Sequence, residues 1–142
     1  MTTGASHRFR CFTPAGPVDV WTALTDGRHT RQFLHGLAAD STWRPGAPIS
    51  FRTSPEVDPP VLTGEVLCVE PERRLSYVLT SGPHHPCTYL TWHLDAHPEG
   101  SIVRLQVDRA EHADTEEEAE AIWLPALAAL QRLLSRGGTR RT

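Results

Sequence analysis

Residues 115–136 have the sequence TEEEAEAIWLPALAALQRLLSR, which predicts one long amphipathic helix near the end of the chain. Thr115 and Glu118 are placed as a capping-box pair at its start, and the Gly137-Gly138 pair is expected to end it. Pro125 lies inside this helix, where it removes one backbone hydrogen bond and is expected to bend the axis. The apolar residues that share one helical face are Ala119, Trp123, Ala126, Leu127, Leu130 and Leu134.

An apolar face of this length has to be buried, and the preceding chain supplies short alternating segments that predict a sheet. The predicted strands are 7–13, 41–43, 49–52, 62–70, 75–79, 90–94 and 103–107. Two short helices, one starting at Pro17 and ending at Asp26-Gly27 and one over 28–34, follow the first strand. The inward face of that strand is left open, because Phe9 and Cys11 compete with Phe12.

The connections between these strands are too short for parallel crossovers, so the sheet is predicted to be antiparallel. The fold class is therefore α+β: a seven-stranded curved antiparallel sheet, two short helices after the first strand, and a long C-terminal helix packed over the concave face. A curved sheet closed over one helix can leave a cavity between them. Small helix residues such as Ala126 and Ala129 leave room in that space.

The composition narrows the function classes. The 142 residues suit a single domain, expected over 7–136, with an N-terminal tail 1–6 and a disordered tail 137–142. A formal net charge of −3 argues against a nucleic-acid surface. All 14 cationic residues are arginine, which excludes chemistry that needs a lysine amine. Three unpaired cysteines, no signal sequence and no apolar run of ~20 residues predict a cytoplasmic protein without membrane insertion.

Several short motifs resemble one superfamily in their order and spacing. They are 17–26 (PVDVWTALTD), 43–46 (WRPG), 64–66 (GEV), 70–75 (EPERRL), 91–94 (TWHL) and 123–125 (WLP). Together they resemble the START-like, birch-pollen-allergen-like helix-grip superfamily called SRPBCC, in its branch related to the activators of the heat-shock-chaperone (Hsp90) ATPase. The resemblance implies an internal pocket under the terminal helix. It supplies no fixed catalytic motif, and Phe33 stands where that branch usually has a Trp.

The residues expected to line the cavity are mostly aromatic or apolar. They are Phe33, His35, Trp43, Phe51, Tyr77, Trp92, Trp123, Ala126, Leu127 and Leu130. For the aromatic members the alternative is ordinary core packing, and for His35 it is an exposed loop histidine. Tyr77 is the best polar group for holding a ligand, because a buried phenol seeks a hydrogen-bond partner.

No catalytic set stands out. The strand carboxylates Glu65, Glu70, Asp95 and Asp108 and the strand histidine His93 are expected to face outward. His84, His85 and Cys87 are metal-ligand residue types, but no second cluster accompanies them, so we expect a solvated hairpin tip, no metal and no cofactor.

These observations favour a small intracellular ligand-binding domain that holds an apolar or amphipathic molecule. They argue against an enzyme without excluding one. The first alternative is a polyketide cyclase or aromatase that uses the same cavity, with polar groups such as Tyr77 and His35 converging inside it. The second is a chaperone-interaction module resembling the Hsp90 ATPase activators, with an exposed apolar patch. The partners expected are a hydrophobic small molecule and a chaperone or homodimer contact.

Overall fold

A computed structural model describes residues 5–56, 59–80, 88–109 and 115–139 of the chain. Within these ranges the chain forms seven strands and three helices, as the sequence predicts. In chain order they are β1 (Ala5–Thr13), α1 (Pro17–Thr25), α2 (Gly27–Phe33), β2 (Ala38–Asp40), β3 (Pro48–Arg52), β4 (Leu62–Glu70), β5 (Arg74–Thr80), β6 (Thr88–His97), β7 (Gly100–Arg109) and α3 (Glu116–Thr139).

The strands form one curved antiparallel sheet in the spatial order β1-β7-β6-β5-β4-β3-β2. From β2 to β7 each strand pairs with the next one along the chain, as short connections require. β1 is the exception, since it pairs along its whole length with β7, the last strand. The predicted α+β fold class is confirmed.

The core lies between the concave face of the sheet and the helices. Inward residues alternate with outward ones along β6 and β7, where Leu90, Trp92 and Leu94 are buried beside Val103 and Leu105. α3 packs against β1, α1 and α2. Its predicted apolar face is confirmed, because the members of that face other than the half-buried Trp123 are fully buried.

β1 turns Phe9 and Cys11 toward the core, which settles the face that the sequence left open. Both are half-buried against the core cluster, whereas the Phe12 side chain is 41% exposed. The Phe12 ring instead contacts His97 edge-on, with the ring centroids 5.2 Å apart. Phe12 therefore belongs to the outer face of the sheet.

The predicted strand 41–43 is wrong, because the strand before β3 is Ala38–Asp40. Ala and Asp are poor strand formers, so β2 gives no signal in the sequence. It forms because Ala39 pairs with Phe51 of β3 and donates its backbone N–H to the Thr30 hydroxyl, 2.8 Å away. Gly27 allows α2 this close, since a Cβ there would lie 2.8 Å from the Ala39 carbonyl oxygen.

α3 starts as predicted and extends further than predicted. Thr115 and Glu118 exchange hydrogen bonds of 2.9 and 3.0 Å as a capping box, and Pro125 lies inside the helix. The helix continues to Thr139, past Gly137 and Gly138, so the predicted end is wrong. Glycine inside a helix costs only about 1 kcal/mol relative to alanine, and no proline follows to force a stop.

Candidate functional site

Five of the predicted cavity aromatics lie in one cluster on the concave side of the sheet. The ring of Phe33, at the end of α2, meets Trp92 edge-on with centroids 6.3 Å apart. The rings of Trp43 and Phe51 each lie 6.2 Å from that of Tyr77. All but Trp43 are buried. We call these five residues the aromatic cluster.

Tyr77, in the middle of β5, carries the polar atom at the centre of the cluster. It is 2% exposed, and its hydroxyl oxygen accepts a hydrogen bond from Trp92 Nε1, 3.2 Å away. Burial raises the pKa of Tyr77 to about 12, and the Trp92 bond only partly opposes this, so the group is a neutral phenol at pH 7. Among the described residues no acceptor receives the hydroxyl hydrogen, so the donor half of this group is unused.

Trp43 covers the cluster at its solvent edge. It is half-buried and has φ 57°, a left-handed conformation that is rare for a bulky residue. Its backbone N–H donates to the Ser41 hydroxyl, 3.0 Å away, which holds this turn in place. Strained residues of this kind concentrate at ligand clamps and switch regions. Trp43 was predicted to end a strand and instead lies in a turn, because a turn closed by a serine side chain has no strong sequence signal.

α3 packs side chains into the same core as the aromatic cluster. Ala126, Leu127 and Leu130 are buried in the same core as the aromatic cluster, and Trp123 is half-buried against it. Ala126 presents only a methyl group. Packing of these side chains into one core also agrees with the alternative interpretation, in which they serve stability alone.

His35 lies apart from Tyr77. It is exposed, has φ 53°, and its Nε2 donates to the backbone carbonyl of Ile122 in α3, 2.9 Å away. This carbonyl lies in the turn before Pro125, where the proline ring disturbs the backbone hydrogen bonds. His35 therefore connects the end of α2 to the weakened turn of α3. The role of Ile122 could not be predicted, because its contact with His35 uses a backbone carbonyl and leaves no residue-type signal.

The strand carboxylates have outward positions, as predicted. Glu65, Glu70 and Asp95 are exposed, and Asp108 is half-buried, accepting hydrogen bonds from Gln106 Nε2. His93 also faces outward, between the arginines of the neighbouring strands. No carboxylate therefore joins Tyr77 as an acid–base partner within the described ranges.

Metal binding by the His84, His85 and Cys87 cluster stays untested, because these residues lie outside the described ranges. Among the residues that are described, no group of three or more His, Cys, Asp and Glu side chains is arranged to hold a metal ion. None of the described helices combines the length and the apolar character that crossing a membrane requires.

The fold of the described residues defines the class of protein as a helix-grip fold. Residues 14–135 match the family model described as "Activator of Hsp90 ATPase homolog 1-like protein". The chain therefore belongs to this family, and the resemblance seen in its motifs is confirmed. The sequence has no match among curated proteins.

Solved structures share the fold at low sequence identity. Protein CV1439 from Chromobacterium violaceum aligns with a TM-score of 0.74 and 18% identity, over 92% of this chain and 96% of its own. Protein MLL2253 from Mesorhizobium loti aligns with a TM-score of 0.72 and 24% identity, over 92% and 97%. CalU16 from Micromonospora echinospora gives 0.72 and 19%, over 99% and 88%. At these identities the likeness concerns the fold alone.

Proposed function

We propose that the protein is a cytoplasmic binding domain that holds an apolar or amphipathic small molecule between the sheet and α3, at the aromatic cluster. The observation that carries the proposal is the Tyr77 hydroxyl, which is buried, neutral and without an acceptor in the described part of the chain. A buried donor left unpaired costs about 1–3 kcal/mol. A ligand that supplies one acceptor oxygen would recover this cost.

The surroundings of Tyr77 set the chemistry of the ligand. Aromatic rings at 6.2 Å on two sides favour a flat apolar body, and the single free donor favours one carbonyl or ether oxygen. Trp43 is the route of entry, since it is the half-buried member of the cluster and its backbone is strained. Binding is then expected to move the Trp43 ring and leave Phe51 in place.

A pair of test compounds separates hydrogen bonding from burial. 2-Acetylnaphthalene offers an apolar body with a carbonyl oxygen, and 2-ethylnaphthalene has nearly the same shape without it. Melting curves of the wild type should show the larger rise with the ketone. A ligand at 100 times its dissociation constant adds about 2.7 kcal/mol to the stability of the protein it binds.

Variants then locate the effect. Tyr77→Phe should abolish the difference between the two compounds, whereas Tyr89→Phe, on the exposed outer face of β6, should keep it. Equal responses to both compounds in the wild type, or an unchanged ketone preference in Tyr77→Phe, would count against this function. Ketone binding with turnover would favour the cyclase or aromatase alternative. That alternative expects Tyr77 and His35 to act together, and the hydrogen bond from His35 to the Ile122 carbonyl does not support this pairing.

A chaperone-binding role is the second candidate, and family membership together with two side chains of α3 favours it. Ile122 and Leu124 are 43% and 48% exposed, which leaves apolar surface on the outside of the helix. A pull-down with purified Hsp90 tests this role. Capture by the wild type and loss with Leu124→Glu would support it, and absence of capture at micromolar concentration would reject it.

A further inference from the structure

The outer face of the sheet carries a row of four basic residues on four adjacent strands. Arg10 of β1 lies directly opposite Arg104 of β7, Arg104 opposite His93 of β6, and His93 opposite Arg74 of β5. Arg8 lies one step further along β1 on the same face. The face is separate from the aromatic cluster, which lies on the concave side, so this inference does not depend on the function proposed above.

Only the arginines of β7 and β5 in this row are paired with carboxylates. Arg104 Nε lies 2.8 Å from an Asp95 carboxylate oxygen, and Arg74 Nη2 lies 3.2 Å from one of Glu70. Arg8 and Arg10 are both exposed, and neither has an ion pair or hydrogen bond through its guanidinium in the described chain. The guanidinium groups of this face that lack an ion pair among the described residues are therefore those of Arg8 and Arg10 on β1.

Like charges directly opposite each other on paired strands destabilise a sheet. The chain as a whole has a formal charge of −3, so this row is not part of a generally basic surface. Unused guanidinium donors in such a row can bind an anion supplied from outside the chain. A bound anion would offset the repulsion between the basic side chains of this row.

The position of His93 marks where the anion would lie. The pKa of His93 is lowered, first by burial and then by the guanidinium groups of Arg104 and Arg74, while Asp95 and Glu70 oppose the shift. A surface cleft of about 410 Å³ adjoins this histidine. It is lined by Arg8, Phe9, Arg10, His93, Arg104, Leu105 and Gln106.

We propose that this cleft is an anion-binding site for a small molecule with a phosphate or carboxylate group, held by Arg8 and Arg10 beside Arg104, whose Nε and Nη2 already donate to Asp95. Guanidinium groups present paired N–H donors that match the oxygens of either anion. The cleft volume lies within the range of small-molecule sites, so the anionic group and a compact body fit together.

The ring signals of His93 provide the readout, assigned with the variant His93→Gln. The full-length protein is titrated with pH in sodium chloride, sodium phosphate and sodium succinate at one ionic strength. A bound anion offsets the two guanidinium groups, so the pKa of His93 should rise in phosphate or succinate relative to chloride. The salt that acts at the lower concentration identifies the preferred anion.

Arg10→Gln removes one proposed ligand from an exposed position and should weaken the effective anion about threefold to tenfold. It should also raise the melting temperature of the anion-free protein, because the Arg10–Arg104 repulsion is lost. Arg132→Gln on α3 has the same change in charge and should behave like the wild type. Identical His93 titrations in all three salts, or an Arg10→Gln variant that binds as the wild type does, would overturn the proposal.

Discussion

The imidazole Nε2 of His35 donates a hydrogen bond to the carbonyl oxygen of Ile122 across 2.9 Å, joining two segments that are far apart in the sequence. Ile122 lies three residues before Pro125, which cannot donate to the carbonyl of Ala121 and crowds the same turn. The bond therefore stabilises α3 where its own backbone is weakest. It also fixes the end of α2 beside the wall of the proposed cavity.

His35→Ala should lower the free energy of unfolding by about 0.5–1.5 kcal/mol, the usual net value of one hydrogen bond. Pro125→Ala restores a backbone donor to the same turn, so in that background the cost of His35→Ala should shrink. Urea denaturation of the two single variants and the double variant measures this coupling. Strictly additive effects would show that His35 and the proline turn are independent.

Thr30→Val should destabilise the protein by about 1–3 kcal/mol, because it leaves the buried N–H of Ala39 without an acceptor. Thr30 is fully buried, and its hydroxyl joins α2 to β2. Thr22→Val is the matched control, since the Thr22 hydroxyl bonds the Val18 carbonyl at an exposed position of α1 and should matter by less than about 0.5 kcal/mol. Equal denaturation midpoints for the two variants would contradict this role of Thr30.

Cys11 should be unreactive at pH 8. Burial raises its pKa from 9.0 to about 11, so the folded protein holds the thiol proton more tightly than the unfolded chain does. The stability that the protonated Cys11 thiol gives the folded protein is fully present below pH 9 and is lost as the pH rises toward 11. In a Cys87→Ser background, an aromatic disulfide reagent at pH 8 should label Cys68 and leave Cys11. Fast labelling of Cys11 in the native protein would show that β1 opens.

Thr115→Ala should cost about 0.5–2 kcal/mol through loss of the capping box of α3. The cost should be visible in urea and as lower helicity by circular dichroism, because Glu118 loses the oxygen that accepts its backbone N–H. Thr53→Ala, at an exposed position between strands, is the control and should leave both measurements unchanged. If the two variants match, the capping box contributes nothing to stability.

The regular parts of this fold were predictable because local patterns determine them. The alternation along β6 and β7 and the apolar face of α3 each place side chains correctly, and Trp92 is the member of the aromatic cluster that this alternation places on the inner face. β2 was not predictable, because Ala38–Asp40 has no strand preference. It forms because Ala39 pairs with Phe51 of β3 and donates its backbone N–H to the Thr30 hydroxyl. The His35–Ile122 bond and the left-handed turn at Trp43 depend on contacts between distant residues, which a single sequence does not display.

The pairing of β1 with β7 has a consequence for how the chain is made. Ala5 lies opposite Arg109 and Thr13 opposite Ser101. The backbone groups of β1 therefore find their partners in the sheet only after β7 has been synthesised. Contacts this distant in sequence form slowly. Ribosome-bound chains arrested before Gly100 should be cleaved readily by protease within β1, and release of the complete chain should protect it. The emergence of β7 from the ribosome would then be the step at which β1 gains its pairing partner.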